Sequence, residues 1–124
     1  MNGKYLIDTN AVIALLGNNV SLAAVLGSAK WIGMSVITEL EFLSFSNLSQ
    51  TDKMLLAQFK SRFEVINLDT NDTSLIQTIC QIRQNYRLKL PDAIIASTAL
   101  NAQATLLTND AMFTKVSGLS VQTF

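Results

Sequence analysis

The stretch Lys4-Tyr5-Leu6-Ile7-Asp8-Thr9-Asn10 places the strongest constraint on what this chain folds into. Tyr5, Leu6 and Ile7 form an apolar run of the length of a buried strand, close to the start of the chain. An acid, a hydroxyl and an amide then stop it. Ala11 to Leu16 follow at once as an apolar helix closed by Gly17. Asp8 therefore stands where a strand hands over to a helix. In a parallel α/β sheet that junction lies on the carboxyl edge, where ligands bind. An aspartate there also suits a helix cap, a contribution of about 1 kcal/mol. Asp8 alone does not decide between the two roles.

The alternation continues along the chain. Ser21 is placed to cap a short second helix over residues 22–26. Residues 31–36 read as a second buried strand, with Gly33 permitting close packing. Thr38 and Glu41 fit a capping box opening a third helix. Ser49 to Asp52 start a fourth, and residues 63–68 alternate as a strand toward an edge. Thr70 or Asp72 caps a fifth helix, whose Leu75, Ile76, Ile79, Ile82 and Tyr86 make an apolar stripe. Pro91 suits the first position of a sixth helix. That helix is small and apolar almost all round from Ala93 to Ala102, so it is expected to be buried on most sides. Thr105 to Thr108 form a short central strand ending in Asn109-Asp110. A helical turn at 111–113 and a last strand at 120–124 complete the chain. The pattern predicts a single α/β domain over residues 1–124, a mostly parallel sheet flanked by helices.

Composition narrows the chemistry. Histidine is absent, which excludes a Ser-His-Asp hydrolase, an imidazole zinc site and histidine-based RNA transesterification. The single cysteine, Cys80, permits no internal disulfide. Its place between Ile79 and Gln81 predicts a small buried residue. Hydrolysis near neutral pH would fall to carboxylates, which need a hard divalent cation as helper. Lys plus Arg equals Asp plus Glu, nine each, so bulk positive charge does not hold this chain to nucleic acid. Arg83, Arg87 and Lys89 still form a local basic cluster ahead of Asp92. Asp8 interrupts the first apolar run, and no run approaches the roughly 20 residues that span a bilayer. A soluble cytoplasmic protein without a membrane partner is expected.

Four acids fall at element junctions: Asp8 after the first strand, Glu41 in the first turn after the second, Asp92 in the first turn of the sixth helix, and Asp110 after the Thr105–Thr108 strand. Each alone is explained by the helix dipole, at about 0.3–1 kcal/mol. In a parallel sheet, however, all four converge on one rim. Like charges held close destabilise the fold, and a divalent cation removes that penalty. Oxygen-only ligands point to Mg2+ or Mn2+. Thr9, Asn10, Thr108 and Asn109 stand beside these acids as groups able to orient carboxylates or water. The third and fourth helices carry more apolar residues (Phe42, Phe45, Met54, Leu55, Phe59) than one buried face uses, which suggests a partner.

In four segments the chain resembles the PIN-domain ribonucleases, and among them the VapC-like toxins of toxin–antitoxin pairs. These are Tyr5-Leu6-Ile7-Asp8-Thr9-Asn10, Ser35-Val36-Ile37-Thr38-Glu39-Leu40-Glu41, Leu88-Lys89-Leu90-Pro91-Asp92-Ala93-Ile94-Ile95-Ala96, and Leu107-Thr108-Asn109-Asp110 with Phe113. The resemblance implies a PIN-like three-layer sandwich and a Mg2+- or Mn2+-dependent endoribonuclease. It places the catalytic, metal-holding acids at Asp8, Glu41, Asp92 and Asp110. It also implies a homodimer, a cognate antitoxin, and structured RNA such as tRNA, rather than DNA, as the nucleic acid. Glu39 and Glu41 both lie near the family's glutamate; the pattern Ser-x-x-Thr-x-x-Glu selects Glu41. The family's glycine a few residues later is absent, and Ser44-Phe45 occupies its region. The strongest rival is a response-regulator receiver, also a small α/β domain with an acidic magnesium pocket. It would want adjacent acids after the first strand, where this chain has Asp-Thr-Asn.

Overall fold

The computed structural model describes residues 3–124. The chain runs β1 (Lys4–Ile7), α1 (Thr9–Leu16), α2 (Val20–Gly27), β2 (Trp31–Ser35), α3 (Val36–Leu43), α4 (Gln50–Lys60), β3 (Glu64–Ile66), α5 (Thr73–Tyr86), α6 (Leu90–Ala102), β4 (Thr105–Leu107), a 3-10 turn (Ala111–Lys115) and β5 (Val121–Gln122). The five strands form one sheet in the order β3-β2-β1-β4-β5, and every pairing is parallel. The chain builds from β1 outward through β2 to β3, then crosses back to lay down β4 and β5 on the other side. Successive side chains of a strand face opposite ways, and this sorts the core into two layers. Leu6 and Leu106 face α5 and α6, packing with Ile79, Ile82, Ile95 and Phe113. Tyr5, Ile7 and Leu107 face the other layer, with Val12, Leu22, Phe42 and Leu56.

Helix α6 is buried continuously from Ala93 to Ala99, as its composition predicts. It touches α5, α3, β2 and β4, and small side chains let it sit that close to all of them. Among the described residues, no single helix is long and apolar enough to cross a membrane.

Several local expectations need correction. Helix α2 is capped by Asn19, whose side chain accepts from Leu22 N at 2.9 Å, and not by Ser21. Helix α3 starts at Val36 with no loop after β2, because Ser35 ends the strand and caps the helix by accepting from Ile37 N at 3.1 Å. Thr38 and Glu41 therefore do not form a capping box. Thr38 lies inside the helix, fully buried, its hydroxyl without a hydrogen-bond partner among the described residues. Glu41 lies in the second turn, not the first. The box exists instead at α4, where Ser49 and Asp52 bond each other's backbone N–H. Asp72, not Thr70, caps α5. Cys80 is exposed: the buried stripe of α5 runs through Ile79 and Ile82, and Cys80 sits about 100° round from Ile79. The last strand is shorter than predicted, and Phe124 beyond it is fastened by two hydrogen bonds to the Asn109 side chain.

Gly33 is required by its neighbour. Trp31 and Gly33 lie two residues apart on one face of β2, and the indole covers the glycine. The ring is held there by a 2.7 Å hydrogen bond from Nε1 to Glu64 and by Lys4 Nζ 5.3 Å from its centroid. A Cβ at position 33 would stand 2.2 Å from Trp31 Cη2. Gly33→Ala should therefore cost about 1–3 kcal/mol in urea unfolding. In a Trp31→Leu background most of that cost should vanish.

Candidate metal and catalytic site

A cavity of about 240 Å3 opens at the carboxyl edge of the sheet, lined by Asp8, Thr9, Asn10, Glu41, Phe45, Asp92, Ile95, Asp110 and Phe113. All four acids singled out in the sequence border it. They arrive from four different places: the end of β1, the second turn of α3, the first turn of α6 and the segment after β4.

Asp8 is both a cap and a wall of the cavity. It is 5% exposed. Its Oδ1 accepts from Ala11 N at 2.7 Å, and its Oδ2 accepts from the Thr108 hydroxyl. That hydroxyl oxygen in turn accepts from Asp110 N at 3.0 Å. One threonine thus ties the end of β1 to the segment after β4. Asp110 caps the 3-10 turn, its Oδ1 accepting from Met112 N at 3.2 Å. Glu41 Oε1 accepts from the Thr9 hydroxyl at 2.7 Å, which joins α3 to α1. Among the described residues, none donates a hydrogen bond to the Asp92 carboxylate.

Glu39 and Glu41 part company here. Glu39 forms an ion pair with Lys60 of α4, whereas Glu41 borders the cavity. Of the polar neighbours, Thr9 and Thr108 hold carboxylates and Asn10 lines the wall. Asn109 is spent on Phe124. Arg83, Arg87 and Lys89 are exposed and do not line the cavity. Three apolar wall residues escaped the search for acids: Phe45, Ile95 and Phe113. Ile95 was accessible from spacing, since it follows Asp92 by three and shares its helix face.

Burial is the main force on the two most perturbed acids. It raises Asp8 above the ordinary value of 3.8, and repulsion from Asp110 and Glu41 adds to it, while the bonds from Thr108 and Ala11 pull the other way. Asp92 is also raised, first by burial, then by repulsion from Glu41, Asp110 and Asp8, with Lys89 opposing. The carboxylates feel one another, and among the described residues no Lys or Arg side chain lines the cavity to answer them. A hard-oxygen donor set whose negative charge outweighs the opposing Lys89 is chemistry that suits Mg2+ or Mn2+. The acids ring the cavity without closing on one point. Among the described residues, no three His, Cys, Asp or Glu side chains are grouped tightly enough to grip an ion as they stand.

A parallel sheet with acids gathered at the carboxyl ends of its strands defines a class, and the sequence agrees with it. Residues 5–119 match the family model of the PIN domain, and the chain belongs to that family. Its fold is similar to that of VapBC2 from Rickettsia felis bound to a DNA fragment from the promoter, with TM-score 0.78 and 25% identity over 96% of this chain and 97% of that one. It is also similar to a toxin–antitoxin complex from Klebsiella pneumoniae, with TM-score 0.77 and 27% identity over 93% and 94% of the two chains. DNA-bound VapBC from Salmonella typhimurium shares the fold at TM-score 0.77 and 21% identity, over 97% of each chain. A search of curated protein sequences gave no significant match. Strand order excludes the receiver alternative: receivers are built 2-1-3-4-5, and this sheet is β3-β2-β1-β4-β5.

The raised acids set a pH dependence. Between 3.8 and their raised values, the folded chain binds more protons at Asp8 and Asp92 than the unfolded chain does. Stability must therefore fall as pH rises through that interval and level off above it. In EDTA, melting temperature should drop as pH rises above 3.8 and then reach a plateau. Asp8→Asn, which keeps an oxygen for the cap, should raise the neutral-pH melting temperature and flatten the profile.

Proposed function

We propose that this chain is a metal-dependent endoribonuclease, the toxin of a toxin–antitoxin pair, hydrolysing phosphodiester bonds in tRNA or another structured RNA. The observation that carries the reading is the gathering of Asp8, Glu41, Asp92 and Asp110 around one cavity of a PIN domain. In this reading the four carboxylates hold Mg2+ or Mn2+. A divalent cation bound there supplies positive charge to the phosphodiester and lowers the pKa of an attacking water. The chain's own part is to fix its ligands. Thr108 fastens Asp8 and the Asp110 backbone together, and Thr9 engages Glu41 Oε1, leaving Oε2 to orient water or accept its proton. Phe45, Ile95 and Phe113 wall the site with apolar surface, which strengthens the electrostatics inside. Attack on phosphorus opposite the 3′ oxygen leaves a 5′-phosphate and a 3′-hydroxyl.

The partners follow from apolar surface. A groove of about 370 Å3 beside the site is lined by Ile13, Leu16, Phe42, Phe45 and Leu48. It would seat the antitoxin. Leu40, Leu43 and Met54, which are 54%, 44% and 57% exposed, would be covered in a homodimer. Of the apolar surplus read for α3 and α4, Phe42 enters the core, Leu55 and Phe59 are half-buried and Met54 is exposed, while Phe45 is exposed beyond the end of α3 and not on it. Direct DNA contact is not assigned to this chain.

Purified protein should cleave RNA with Mg2+ or Mn2+ and stop on addition of EDTA. Asp8→Asn should remain folded and lose more activity than the roughly 10–100-fold typical of an outer-shell substitution. A 2′,3′-cyclic phosphate product, or wild-type cleavage by Asp8→Asn, refutes the reading. On size exclusion the protein should run as a dimer at micromolar concentration; Leu40→Lys together with Met54→Lys should shift it to the monomer volume.

A further inference from the structure

We infer that Phe45 is a stacking platform for a nucleobase beside the scissile phosphate, so that cleavage is directed to unpaired nucleotides. The inference rests on the nuclease reading above and deepens it. Phe45 follows the end of α3 and is 44% exposed, a costly state for a phenyl ring on the rim of four carboxylates. The ring is not loose. Its backbone N–H donates to Phe42 O at 3.3 Å, and its carbonyl accepts from Leu48 N at 3.3 Å. The buried Phe42 ring meets it edge-to-face at 6.0 Å between centroids and 72° between planes. A half-exposed aromatic braced edge-on by a buried ring suits base stacking, because less side-chain freedom remains to be lost.

Size points to the same place. The acid cavity, at about 240 Å3, is smaller than the roughly 300–1,000 Å3 of pockets that engulf whole ligands. A phosphodiester fits among the carboxylates, and the base attached to it must lie at the rim. Phe45 is the exposed aromatic of that rim; Phe113, the other ring in the wall, is 2% exposed. A base can reach a phenyl face only when unstacked from its own strand, which selects loops and single-stranded segments. The same ring also walls the apolar groove, so a protein side chain is the competing occupant. The acid-facing side favours the nucleotide: with a divalent cation held by the carboxylates, a nucleotide alone would bring a phosphate for that cation and an aromatic face for the ring.

The test uses a single-stranded oligoribonucleotide that the wild-type protein cleaves, carrying 2-aminopurine next to the scissile bond. In the Asp8→Asn background with Mg2+, binding should quench 2-aminopurine fluorescence. Adding Phe45→Ala should abolish that quenching, and Phe45→Trp should preserve it. In otherwise wild-type protein, Phe45→Ala should raise KM about tenfold, Phe45→Trp should restore it, and replacing that base by an abasic site should erase the KM difference. Unchanged melting temperatures show that the variants fold. Equal quenching and equal KM with and without the ring overturn the inference and assign Phe45 to the protein groove. A protein that cleaves no RNA refutes the nuclease reading itself, and the platform falls with it.

Discussion

Parallel pairing leaves the carboxyl end of a strand beside the carboxyl ends of its neighbours, and here β1 is paired that way on both flanks. The register sets Ile7 of β1 opposite Leu107 of β4, so the residues that follow each strand, Asp8 and Thr108, emerge side by side. The chain reverses its direction of travel across the sheet at this point, having gone one way from β1 to β3 and the other way to β4 and β5. Loops on the two sides of such a reversal diverge and leave a crevice. The four acids border that crevice.

Crowding of negative charge is opposed locally before any ion enters. Asp8 receives two hydrogen bonds, one from the helix it caps and one from Thr108. Those bonds favour its charged form, yet burial and its neighbours outweigh them. The arrangement therefore keeps a buried carboxylate in place without relaxing it. Thr9 does for Glu41 what Thr108 does for Asp8, so both threonines belong to the architecture of the site as much as the acids do.

Much of this was legible in the residues. Asp8 and Asp110 follow short apolar runs, and Asp92 follows a proline at a helix start; those are local signals, and they put three acids at the element ends where the structure has them. Glu41 was found for a partly mistaken reason. A Thr-x-x-Glu pattern carries the same signature whether it begins a helix or sits inside one. Only the direct passage of β2 into α3 at Ser35 distinguishes the two. Cys80 was misjudged because apolar neighbours in sequence do not share a face on a helix. Phe113 stood in the fourth segment that resembles the family and Phe45 in the region of its missing glycine, but their roles as walls depend on where separate elements come to rest.

The four acids differ in how firmly they are held. Asp8, Glu41 and Asp110 are each fastened by at least one hydrogen bond, whereas Asp92, in the first turn of α6, accepts none among the described residues. A cation entering the cavity would thus meet three carboxylates already engaged by the chain and one, carried on the buried helix α6, with both oxygens unspent among the described residues.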